Sequence, residues 1–71
     1  MLYILKIKGT SKIPDFVQIR DQEMTLIAYF RLSQIEKGLI KNGLQDDAKK
    51  IMGLLNTIPY GKIHEYYKDN E

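Results

Sequence analysis

The chain carries one histidine and no cysteine, which narrows its chemistry at once. His64 lies near the C-terminus, and the only serines are Ser11, in a stretch with loop composition, and Ser33, where a helix should begin. A nucleophilic triad needs serine, histidine and acid to converge on one point, and nothing in these spacings brings them together. The bland assignments, a turn serine, a capping serine and a solvated histidine, account for all three. His64 and Glu65 are adjacent, and neighbours on a strand or helix point in different directions, so they do not share an ion. Asp46 and Asp47 are adjacent as well, roughly 100° apart on a helix. They suit the positive end of a helix dipole better than an acid–base pair.

The run Gly9-Thr10-Ser11-Lys12 has the residue types of a phosphate loop in the wrong order, with no upstream glycine at the required spacing and no helix after it. The expectation is therefore a protein that is not an enzyme, with no catalytic residue, metal, cofactor or small-molecule substrate. Without cysteine, disulfide staples and thiolate chemistry are also out of reach.

The elements that could position a binding surface read as strands followed by helices. Leu2 to Lys8 has strand composition, with Lys6 and Lys8 on one parity and Tyr3, Leu5 and Ile7 on the other. Gly9 ends it, and Thr10 to Asp15, with Pro14, is a loop. Phe16 to Arg20 alternates as a second strand. Asp21, Gln22 and Glu23 form a hairpin-length interruption, and Met24 to Leu32 is a third strand antiparallel to the second. The alternative, one long helix from Gln22 to Lys41, fails to keep a clean apolar stripe.

Ser33 with Glu36 three residues later predicts a capping box and a helix from about Gln34 to Lys41, closed by Asn42 and Gly43. Gly38 inside it marks either a close crossing or a weak helix. Leu44, Ala48, Ile51, Leu55 and Ile58, spaced 4, 3, 4 and 3, form one stripe of a second helix that Pro59 stops. The segment 60–71 is an extra strand or a tail, frayed from Lys68 to Glu71.

Seventy-one residues with 44% hydrophobic and 28% charged residues make one small domain, 1–71. A chain this short buries only about 60% of its unfolded surface, and self-association would supplement it. No apolar stretch is long enough to span a membrane, and no targeting segment is evident, so the expected compartment is the cytoplasm. The fold expected is α+β: a three-stranded antiparallel meander followed by two helices packed on one face.

If the inner face is Tyr3, Leu5, Ile7, Val17, Ile19, Leu26, Ala28 and Phe30, the period of two assigns Ile4, Lys6, Lys8, Phe16, Gln18, Arg20, Thr25, Ile27, Tyr29 and Arg31 to the outer face. That face is basic and aromatic, with no acid. Its candidate binding residues are Lys6, Lys8, Phe16, Arg20, Ile27, Tyr29 and Arg31. Ile4, Phe16, Ile27 and Tyr29 are too apolar to face water, which points to a non-enzymatic protein-interaction or regulatory module, a homodimer or the companion of a protein partner. The alternative is a single-stranded nucleic-acid-binding protein, cations meeting phosphates and rings meeting bases. The net charge of +2 is modest for that role. Tyr60, Tyr66 and Tyr67 suit either an interface or packing on the domain's own helix.

Overall fold

The chain runs β1 (Leu2–Ile7), β2 (Phe16–Arg20), β3 (Leu26–Arg31), α1 (Ile35–Lys41), α2 (Ala48–Leu55) and β4 (Ile63–Tyr66). The computed structural model describes residues 1–68, so Asp69 to Glu71, within the segment expected to fray, lie outside the described residues. This is the α+β fold expected, with one strand more. The sheet has four strands in the order β3-β2-β1-β4, and every neighbouring pair is antiparallel. The fourth strand returns after Pro59 and Tyr60 and closes the free edge of β1, which resolves the ambiguity of the segment after Tyr60 in favour of a strand.

Both helices cover one face. Leu39 of α1 and Ile51 and Leu55 of α2 form a single core with Leu2, Ile4, Val17, Ile19, Ala28 and Phe30, joined by Leu44 and Ile58. The stripe expected of the second helix is therefore real, although its ends differ. A 3₁₀ turn at Gln45–Asp47 leads into α2, and Ile58 is buried beyond the helix end. Gly38 serves a close crossing: a Cβ there would press into the Phe30 ring, 2.8 Å from its Cβ. Helix α1 ends at Asn42 with Gly43 at φ 75°, and Leu44 N–H donates to Leu39 O while Gly43 N–H donates to Ile40 O. This paired C-terminal closure seats Leu44 on Leu39.

Three local expectations are corrected. The Ser33–Glu36 capping box does not form. Leu32 to Gln34 is wound into a 3₁₀ turn, so α1 starts at Ile35 with Gln34 at the cap position and no side-chain cap bond. The third strand is shorter at its start, because Asp21 accepts the N–H groups of Glu23 and Thr25 and draws Met24 and Thr25 into the turn. Met24 adopts φ 68° there, a region that side chains with a Cβ rarely occupy.

The face assignment of β1 is inverted. Leu2, Ile4 and Lys6 point to the helices, and Tyr3, Leu5 and Ile7 point away. Both parities of this strand are apolar enough to be buried, and the lysines misdirect the choice. Lys6 is 8% exposed, its stem lies along the core, and its ammonium donates to Leu55 O at 2.7 Å while sitting 4.6 Å from the Tyr60 ring centre. A cation at the carbonyl end of α2 is electrostatically favoured there.

Candidate protein interface on the outer sheet face

The outer face is assembled by the register of the ladders. One row across the sheet is Glu65, Tyr3 and Arg20; the next is Ile63, Leu5, Gln18 and Tyr29; the third is Ile7, Phe16 and Arg31. A one-residue register shift between Ile19 and Arg20 places Leu26 and Ile27 together opposite Arg20. This is a bulge in β3, and it delivers two exposed apolar side chains where a regular strand would deliver one.

The face is thus more apolar than the sequence pattern implies. Tyr3, Leu5 and Ile7 are half-buried only by their neighbours, and Tyr29 and Ile63 keep 52% and 58% of their surface in water. Phe16 and Tyr29 stack with ring centres 4.7 Å apart and planes inclined by 8°. Cross-strand aromatic packing of this kind stiffens the surface before anything binds. Arg20 is held in place by its own turn, since its Nη1 donates to Met24 O at 2.9 Å.

Of the seven residues nominated from sequence, Phe16, Arg20, Ile27, Tyr29 and Arg31 share this face. Lys6 does not, being buried beneath the helices. Lys8 follows the end of β1 on the parity of Lys6, with its ammonium 4.9 Å from the Tyr60 ring centre. The cations of the face therefore fall from four to two, with one acid, Glu65, on the β4 side. Sequence reasoning missed Tyr3, Leu5, Ile7, Leu26, Ile63 and Glu65. The available signal was that β1 is apolar on both parities, so its composition alone does not decide which parity faces the helices.

Lys6, Lys8 and Tyr60 belong to a separate cluster that fastens the loop after β1. Tyr60 Oη donates to Asp15 Oδ2 at 2.7 Å, and Gly9 N–H donates to Asp15 Oδ1 at 2.7 Å. The Tyr60 hydroxyl and then the Gly9 amide hold the Asp15 carboxyl below the usual carboxylate range; burial opposes them less strongly, and the nearby ammonium groups of Lys8 and Lys6 add the smallest effects in the same downward direction. The same hydrogen bond to Asp15, with desolvation and the Asp15 charge, raises the Tyr60 phenol. The Gly9 amide is thereby committed to a side chain, which is a loop's use of a glycine rather than a phosphate cradle's.

The remaining candidate chemistry disperses. Asp46 is exposed, whereas Asp47 is buried at the start of α2 and accepts the Tyr66 hydroxyl at 3.0 Å. Among the described residues no three His, Asp or Glu side chains are grouped to hold a metal ion, and no helix is long and apolar enough to cross a membrane.

Two grooves adjoin the helices. A shallow one of about 870 Å³ is lined by Leu32, Ile35, Ile40 and Met52 with polar rims and contains no histidine. A second, of about 390 Å³, lies where the outer face turns over the β3 edge, and its lining includes Phe16, Tyr29, Arg31, Lys37 and Lys41 with no acid. Compared with family models, curated proteins and solved structures, the chain matches none.

Proposed function

We propose that this chain is a small non-enzymatic protein-interaction or regulatory module that self-associates through its outer sheet face. The observation that carries the reading is the equal apolarity of the two faces. Tyr3, Leu5, Ile7, Phe16, Ile27, Tyr29 and Ile63 form one continuous surface on the side away from both helices. Four strands about 4.8 Å apart and about 18 Å long give a planar footprint of about 350 Å². Two such faces contribute about 700 Å², more once side-chain relief is counted, against the ~1,200–2,000 Å² of stable specific interfaces. The association is therefore weak and concentration-dependent, as suits a regulated module. A cytoplasmic location is part of this proposal and fits a cysteine-free chain.

Sedimentation equilibrium across micromolar to millimolar protein tests the reading. Mass should rise with concentration, and the melting temperature should rise with it, because assembly and folding are linked. A monomer throughout, with a melting temperature indifferent to dilution, refutes it.

One observation favours a second reading, binding of single-stranded nucleic acid. Arg31, Lys37 and Lys41 converge without an acid on the groove that the Phe16–Tyr29 stack borders. Fluorescence anisotropy with labelled oligonucleotides at low salt decides it, since even non-specific basic surfaces bind with a dissociation constant of about 10⁻⁴ to 10⁻⁶ M. The face itself, with two arginines and one glutamate, supports this second reading less than the pattern of alternating residues had implied.

A further inference from the structure

We infer that the outer face docks on a second copy of itself about a two-fold axis lying parallel to the strands and between β1 and β2, so that Glu65 of each copy sits beside Arg20 of the other. The inference rests on the self-association proposed above and specifies its geometry.

The register carries the argument. Glu65 and Arg20 both pair with Tyr3, one from β4 and one from β2, so the acid and the cation occupy the same row on opposite sides of the sheet. Of the in-plane axes about which two copies of one face can meet, the two limiting ones run along the strands and across them. An axis along the strands keeps each row on itself and exchanges left for right. The β4 position of one copy then lies over β3 of the other, one strand spacing, about 4.8 Å, to the side of Arg20. With sheets about 10 Å apart, a glutamate and an arginine reaching from opposite sides span the gap. The row then reads acid, cation, cation, acid across the two copies: the two Arg20 lie one strand spacing apart across the axis, each flanked on its other side by Glu65 of the other copy, so that two unlike contacts outweigh one like contact, and the Tyr3 ring of each lies against Arg20 of the other.

An axis across the strands exchanges the Tyr3 row with the Ile7 row instead. Glu65 then falls opposite a position that β4, which begins at Ile63, does not occupy, and Arg31 faces Leu26 and Ile27. That arrangement leaves every charge uncompensated, and like or unpaired charges at an interface are costly.

The remaining rows agree with the first axis. Ile63 of one copy meets Tyr29 of the other, and Ile7 meets Phe16. The two Gln18 amides lie one strand apart across the axis, within reach of each other's donors and acceptors, so the one polar side chain of the central row is satisfied by its own symmetry mate. Arg31 lies at the periphery, where it stays hydrated.

Charge exchange tests the geometry. Dissociation constants are measured by sedimentation equilibrium for the parent, Arg20→Glu, Glu65→Arg and the double variant, with circular dichroism melts to establish folding. Each single exchange should weaken association by about ten- to fiftyfold, because two pairs per dimer turn from attraction to repulsion. The double exchange should return within about threefold of the parent. Arg20 also holds Met24 O; should Arg20→Glu not fold, Glu65→Arg, at an exposed position on β4, carries the test alone through its own weakening. A parent dimer indifferent to Glu65→Arg, or a double variant weaker than both singles, overturns this axis while leaving self-association standing. A parent that is monomeric throughout overturns both.

Discussion

The two faces of this sheet are nearly equal in apolar content and opposite in fate. On the inner side Ile4, Val17 and Ile19 are fully buried, and the one charged group there, Lys6, is hydrogen-bonded to a helix-terminal carbonyl. On the outer side Leu5, Phe16, Ile27 and Tyr29 have the same chemistry and stay in contact with water. The difference lies in the helices rather than in the strands. Leu39, Ile51 and Leu55 fall on single helical faces that can cover only one side, so the second apolar side of the sheet is left without helices. Under the self-association proposed above, folding energy and binding energy are drawn from the same kind of residue on alternate positions of the same strands.

Substitutions paired across the sheet test that contrast. The largest effect belongs to the covered side. Ile51→Ala or Ile19→Ala should cost about 2–5 kcal/mol by denaturant unfolding, because the deleted atoms leave a cavity in a fully enclosed site. A midpoint unchanged from the parent would show that the helices do not cover this face as described. Lys6→Ala comes next. It leaves Leu55 O without its donor and removes a stem packed among apolar neighbours, for an expected loss of about 1–3 kcal/mol. Lys8→Ala, two residues on and exposed, should stay within about 0.5 kcal/mol. Equal losses for the two lysines would contradict the burial of Lys6.

Much of the covered side was legible in the sequence, and the reasons differ by element. The α2 stripe was readable because Leu44, Ile51, Leu55 and Ile58 repeat with the helical period and polar residues fill the gaps. The hairpin between β2 and β3 was readable from its polar interruption. The orientation of β1 was not. Leu2 and Ile4 compete with Tyr3, Leu5 and Ile7 for the core, and the tie was broken by Lys6 and Lys8 as though a lysine must face water. A four-carbon stem lets Lys6 satisfy its charge at a helix end some fifty residues away in sequence, which no local pattern records. β4 was obscured for a related reason: Ile63 and Glu65 share one face, so its alternation is not one of apolar against polar. Because the missed elements all contribute to the outer face, the candidate site was legible only in its β2 and β3 half.

The uncovered side should respond in the opposite sense. Ile27→Ser should leave unfolding of the dilute chain within about 0.5 kcal/mol of the parent, since the side chain is exposed there, while reducing the concentration dependence of the sedimentation mass. A large loss of stability at dilution would place Ile27 in the fold's own core. His64→Ala should change neither property, His64 being exposed on an edge strand; loss of biological function in a folded His64→Ala chain would expose a site that this surface does not contain.

The smallest effect expected concerns the fastening between Asp15 and Tyr60, at the end of the sheet where a buried and an exposed lysine approach the same ring. Because the Asp15 carboxyl is held below its ordinary range, first by the Tyr60 hydroxyl, its contribution to stability is present above the unfolded carboxylate pKa of about 3.9. That contribution is lost as the pH falls through the lower folded value. The raised Tyr60 phenol works from the other end, contributing below the unfolded tyrosine pKa of about 10 and losing that contribution as the pH rises through its higher folded value. Tyr60→Phe removes the phenol's contribution and the largest part of the carboxylate's, so the stability gap between parent and variant should be widest between these limits and narrow below about pH 4 and above about pH 10. Solvent screening keeps the gap small, and an NMR titration is the sharper measurement. In Tyr60→Phe the Asp15 carboxyl carbon should titrate at higher pH than in the parent, and in Asp15→Asn the Tyr60 ring should titrate at lower pH. An Asp15 titration that Tyr60→Phe leaves in place would mean that the Gly9 amide and the lysines, rather than the hydroxyl, set its acidity.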